Sequence, residues 1–147
     1  MATSRTRAFT LIEVMIVVVV LAIIAGAVIP QFQDSTKNAK SNTTKFNLRM
    51  LREQLQVYAN EHEGRKPTTL EALTVQTNSI GASGSTSAFP YGPYVIELPV
   101  NSLTDSKVVR AVAVNPPATA TGAEDAGWLY HAASGGVWID DADLLHE

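Results

Sequence analysis

The residue whose placement most demands a chemical explanation is Glu13. It stands at the head of an apolar run that continues from Val14 to Ile29. A carboxylate beside such a run is costly in hydrocarbon unless a partner cation meets it, and acids kept there mostly serve a function. The other titratable groups do not gather into a reactive set. His62, His131 and His146 are scattered, and Arg65 and Lys66 follow His62-Glu63 where a zinc-protease motif needs a second histidine. No nucleophile, base and orienting group suggest themselves together, so the chain is read as no enzyme. Asp140, Asp141 and Asp143 offer hard oxygen ligands, with Glu124 or Asp125 as further donors. Such a set suits calcium, but the Asp-x-Asp-x-Asp-Gly loop is missing and a solvated acidic surface is the default. Trp128 and Trp138 are read as cross-strand packing rather than a ligand platform.

The elements that must position Glu13 follow from length and hydropathy. The 147 residues suit a short apolar segment and one modest soluble core. Leu11 to Phe32 forms a helix long enough for the roughly 30 Å hydrocarbon layer. Val17-Val18-Val19-Val20 is poor helix material in water, but unsatisfied backbone in lipid costs more than β-branched propensity does. Arg5 and Arg7, with no acid before Glu13, keep the N-terminus inside by the positive-inside rule and place the remainder across the membrane. Pro30 is expected to kink this helix near its outer end. Ala25, Gly26 and Ala27 form a small-residue face that lets neighbouring helices approach.

Three readings of the segment stand open on the residues alone. It is a plain signal anchor, or a secretory signal cut after Ala27, or a helix retained after a cut on its cytoplasmic side. The net charge of −3 is unevenly spread, with six acids and no Lys or Arg after Ala111. No basic patch stands out, so nucleic acid is not an expected partner. The absence of cysteine removes disulfides and thiol chemistry.

The order Arg5, Arg7, Ala8, Phe9, Thr10, Leu11, Ile12, Glu13, followed by a long apolar helix bearing Pro30, resembles the processing site of type IV pilins and type II secretion pseudopilins. Ala8 stands where the family usually has Gly. Lys66-Pro67-Thr68-Thr69-Leu70-Glu71-Ala72-Leu73, Gly92-Pro93-Tyr94-Val95-Ile96-Glu97-Leu98-Pro99 and Gly127-Trp128-Leu129-Tyr130 resemble segments of the major pseudopilin. The resemblance implies a prepilin peptidase that cuts between Ala8 and Phe9 and methylates the Phe9 amine. It implies a structural subunit of a type II secretion pseudopilus, with type IV pilus or DNA-uptake filament as the alternative system. The implied partners are further copies of the chain, other pseudopilins and an inner-membrane assembly platform. The implied location is an inner-membrane single pass with a periplasmic C-terminal part. Assembly would run through Phe9 and Glu13, since the new amine and a neighbour's Glu13 are each costly alone in lipid. The family's calcium loop is the further basis for considering Asp140, Asp141 and Asp143.

The rest of the chain is expected to be α+β, with a long N-terminal helix on a small antiparallel sheet. The expected divisions are a leader 1–8, a membrane helix 9–32, its exposed continuation 33–63 and a loop-and-sheet part 64–147. Leu48, Leu51, Leu55, Tyr58 and His62 recur at helical spacing, and Phe46, Met50 and Val57 widen that stripe. Gly64 stops the helix. Thr68-x-x-Glu71 matches a capping box opening a short helix to about Val75. Residues 76–93 read as an irregular loop. Tyr94–Leu98 and Val108–Val114 are β-type, and Trp128–Ala132 with Val137–Asp140 flank a hairpin at Ser134-Gly135-Gly136.

Overall fold

A computed structural model of the chain describes residues 9–120 and 126–146. Helix α1 runs Leu11–Glu61, a 3-10 turn spans Leu70–Thr74, and three short strands follow: β1 Val109–Ala111, β2 Trp128–His131 and β3 Gly136–Ile139. The chain divides into two compact units, one ending at Asn38 and the other running Ala39–Glu147.

In the first unit every described side chain from Phe9 to Ile29 is exposed, and nearly all of them are apolar. A helix apolar on all sides is the pattern of a membrane span, because no single face is set aside for a core. Its backbone is helical without interruption through position 30. The side chain of Pro30, and with it the expected kink, lies outside the described residues.

In the second unit, Leu48, Leu51, Leu55 and Tyr58 of α1 are buried together with Leu70, Leu73, Trp128, Tyr130, Val137 and Ile139. This is the face that the three-and-four spacing predicts. The widening of that face is corrected. Phe46 is 69% exposed and Val57 42% exposed. Each sits two residues from a buried leucine, about 160° around the helix, so both point away from the sheet. The helix stops as expected: Gly64 takes φ +84°, and its N–H donates to Ala59 O at 2.7 Å.

The sheet order is β1-β2-β3, with β2 and β3 antiparallel through the hairpin. The expectation of an all-antiparallel sheet is corrected, because β1 pairs with β2 in parallel, Val109 opposite Trp128. β-type residues fit either direction of pairing, so the strand residues do not set it. Tyr94–Leu98 joins no strand. The N–H groups of Tyr94 and Val95 both donate to Leu73 O, at 2.8 and 3.1 Å, which takes them off any ladder. The capping box expected at Thr68 and Glu71 does not form. Thr69 is the residue at the N-cap, and the turn has no side-chain cap hydrogen bond.

Asn101 ties these pieces together. It is fully buried, its Nδ2 donates to Gly127 O at 2.9 Å, and its Oδ1 accepts from the Thr44 hydroxyl and the Leu103 N–H. Helix, turn 101–106 and the entry to β2 therefore meet on one side chain. Gly127 is needed at that entry, because a Cβ there would stand 2.2 Å from Ser106 O.

Candidate functional site

The chemistry expected at Glu13 depends on how α1 begins. Thr10 is the residue immediately before the helix, and Glu13 lies in its first turn. The Thr10 N–H donates to Glu13 Oε2 at 2.9 Å, and the Thr10 hydroxyl donates to the same oxygen at 2.7 Å. In return the Glu13 N–H donates to Thr10 Oγ1 at 3.3 Å. These bonds form a reciprocal capping box, which satisfies two of the donors a helix start leaves open. The helix N-terminus also carries partial positive charge that suits a carboxylate.

The sequence reading recognised the charge of Glu13 but missed this local partner. The signal was present, since Thr10-x-x-Glu13 is the same Thr-x-x-Glu pattern that was assigned to Thr68 and Glu71. Both bonds from Thr10 converge on Oε2, and a carboxylate has about four acceptor sites. A cation from outside can therefore join Glu13 without displacing Thr10. Phe9, one residue before the cap, is 82% exposed. Ala8, the other side of the expected cut, lies outside the described residues.

The C-terminal acids are not assembled in the same way. Asp140 is only 5% exposed, and its N–H donates to Gly127 O. Asp143 is exposed, and its N–H donates to Asp141 Oδ1 at 2.9 Å, a local turn bond. Among the described residues no three His, Cys, Asp or Glu side chains converge as a metal site. Glu124 and Asp125 lie outside the described residues. Addition of millimolar calcium to the detergent-solubilised protein is expected to leave its melting temperature within about 1 °C, because only a ligand that binds the folded state raises it. A rise of several degrees would support the calcium reading.

The histidines with described contacts hold turns. His62 is fully buried and stacks on Tyr58 with ring centroids 3.8 Å apart. Its Nδ1–H donates to Tyr58 O at 2.7 Å, since a carbonyl can only accept, and Nε2 meets Thr77 Oγ1 at 2.9 Å. Thr77 exchanges two backbone bonds with Tyr91, so the end of α1 pins the neck of the 78–90 loop. His131 Nδ1 accepts from the Ser134 N–H and closes the hairpin. Beside that neck, the Tyr94 hydroxyl donates to Glu61 Oε2 at 2.5 Å. Burial, reinforced by this bond, holds the Tyr94 phenol above its ordinary value.

Comparison with known proteins matches the family described as "Prokaryotic N-terminal methylation motif" to residues 3–29. The chain is 30% identical over 96 residues to the type II secretion system core protein G of Klebsiella pneumoniae, covering 65% of this chain and 68% of that protein. It is 30% identical over 99 residues to the core protein G of Aeromonas hydrophila, covering 67% and 68%. It is also 30% identical over 104 residues to the type IV major alpha-pilin of Moraxella bovis, covering 70% of this chain and 64% of the pilin. No solved structure matches the chain.

Proposed function

Because the chain belongs to the pseudopilin family of type II secretion core protein G, with type IV pilins as its wider kin, we propose that it is a structural subunit of a type II secretion pseudopilus. The subunit spans the inner membrane once, N-terminus inside, and is trimmed between Ala8 and Phe9 by a prepilin peptidase that methylates the new amine. It then polymerises through α1, supported by an inner-membrane platform and other pseudopilins. It acts by assembling rather than by catalysis.

The observation that carries this reading is the start of α1. An apolar helical stretch whose described side chains from Leu11 to Ile29 are all exposed opens on a carboxylate already held by its own first turn. A lone anion in that position would be costly in lipid, whereas a capped one is tolerated and still accepts a further cation. The amine released on Phe9 supplies that cation, and pairing it with a neighbour's Glu13 fixes the stagger between subunits. A contact that joins unlike patches and does not close into a ring generates a helical filament.

Mass spectrometry of the mature protein from cells with an active prepilin peptidase tests the proposal. The expected N-terminus is N-methylated Phe9. A protein beginning at Met1 or at Val28 would refute it, the latter pointing to a released module cut after Ala27. The likeness to the alpha-pilin favours a second reading, a type IV pilus subunit. Loss of secreted enzymes without loss of surface pili in a deletion strain decides for the pseudopilus.

A further inference from the structure

The sheet has two outer edges, and among the described residues only one of them is met by another element. At β3, Arg52 of α1 donates from Nη2 to Val137 O at 3.1 Å. At β1 no further strand follows on the outer side. Val108 O accepts from the Gly127 and Trp128 N–H groups, and the Val112 N–H donates to Tyr130 O, so positions 108 and 112 face β2. Along a strand these directions alternate, which turns the N–H and C=O groups of Val109 and Ala111 outward from the sheet. Such a row of backbone groups is a template on which another extended chain can pair.

The surface beside this edge is shaped for such a chain. Two clefts lie between β1 and the 3-10 turn, and the exposed Glu71 lines both. The smaller, about 90 Å³, is lined by Val109, Ala111 and Tyr130 from the sheet and by Thr68 and Leu70 from the other side. The larger, about 280 Å³, is lined by Lys107, Glu97, Thr74 and Ile96, the last of these 97% exposed. Lys107 belongs to one cleft and Val109 to the other, so the clefts follow each other along the strand at the spacing of alternate side chains, about 7 Å. Their chemistry differs. The smaller is walled mainly by aliphatic and aromatic groups, whereas the larger holds two carboxylates to one ammonium. Lys107 pairs with Glu97 at 3.1 Å, which leaves Glu71 to meet a cation from outside.

We propose that the outer edge of β1 binds an extended segment of another protein as a fourth, antiparallel strand. The segment carries a β-branched residue for the smaller cleft and, two residues later, a Lys or Arg for the larger. The backbone groups of Val109 and Ala111 supply the pairing, and the β-branched side chain fills the space between Val109 and Leu70. The cation meets Glu71 while its stem covers Ile96. Antiparallel addition sets this order, because such a strand passes Ala111 before Lys107. The β1 of a second copy does not fit. Added antiparallel, it offers the groove Val109 then Ala111, which brings no cation to Glu71, or Lys107 then Val109, which sets the ammonium beside Leu70 and Tyr130. This binding goes beyond the polymer reading and does not depend on it.

The test uses the full-length chain dispersed in detergent and a fluorescein-labelled peptide, Ser-Thr-Val-Thr-Lys-Thr-Ser, followed by anisotropy. The parent chain is expected to bind it saturably, and no saturable binding up to about 1 mM overturns the proposal. Ala111→Pro deletes one outward N–H and leaves the bonds to β2 in place, so it should weaken binding about tenfold at an unchanged melting temperature. Unchanged binding in this variant overturns strand addition. A second arm does not depend on the backbone. Replacing the peptide's lysine by glutamate should weaken binding to the parent about fivefold, and Glu71→Lys, at an exposed position, should reverse the preference. A preference for lysine that persists in Glu71→Lys overturns the proposal. A concentration-dependent dimer of the parent chain that Ala111→Pro abolishes also overturns it, and assigns the edge to a second copy.

Discussion

Glu13→Ala is expected to leave a subunit that is processed, methylated and resident in the membrane but does not polymerise, with sheared filament yield reduced on the order of a hundredfold or more. The substitution removes two things at once, the charge that meets the neighbour's amine and the acceptor of the capping box. Glu13→Gln separates them. Glutamine also serves in a capping box, so α1 keeps its first turn while the charge is lost. If charge pairing governs assembly, Glu13→Gln behaves like Glu13→Ala. Thr10→Val makes the complementary change, deleting the hydroxyl that donates to Oε2 while the Thr10 backbone N–H remains. It should weaken assembly by only a few fold. Sheared filaments quantified by immunoblot distinguish the three, and wild-type yield from Glu13→Ala would end the pairing argument.

The second large effect concerns stability. Asn101→Ala is expected to lower unfolding free energy by about 3–5 kcal/mol, since the Leu103 N–H and Gly127 O would lose a buried partner at about 1–3 kcal/mol each. The Thr44 hydroxyl would also lose its acceptor, although it still receives the Ser102 N–H at 3.1 Å. For a unit of this size the melting temperature should fall by more than about 10 °C. Differential scanning fluorimetry on the detergent-solubilised full chain reads this directly. Asn101→Asp keeps the acceptor to Thr44 and Leu103 but cannot donate to Gly127. It would also bury a charge, so no rescue is expected. A shift below a few degrees in Asn101→Ala would show that water replaces the side chain without penalty.

The contrast between Glu13 and Asn101 shows where sequence reasoning works. The helical face of Leu48, Leu51, Leu55 and Tyr58 was legible because periodicity is a local property of the chain. The hairpin at Ser134-Gly135-Gly136 was legible for the same reason. Phe46 and Val57 misled because an apolar residue can equally face a core or another molecule, and only packing tells which. The direction of β1 was hidden because β-type residues fit parallel and antiparallel pairing alike. Two identical Thr-x-x-Glu patterns had opposite outcomes. At Thr10 the pattern coincides with the residue immediately before a long helix, whereas Thr68 falls one residue before the N-cap of a five-residue turn. Nothing in the sequence marks Asn101, since its role depends on Gly127 and Thr44 arriving from distant parts of the chain. Ile96 was equally unreadable, sitting in a β-type run that forms no strand.

The bare apolar surface from Leu11 to Ile29 determines where this molecule can exist. More than a dozen large aliphatic side chains point outward with no cover among the described residues of their own chain. Returning such side chains to water costs about 1.5–3 kcal/mol apiece, which sums to some tens of kcal/mol. No measurable pool of free monomer dissolved in the aqueous compartment can coexist with that penalty. The lipid phase and the fibre are thus the two reservoirs between which a copy passes directly. A fibre that retracts would return its building blocks to the bilayer intact and ready for reuse.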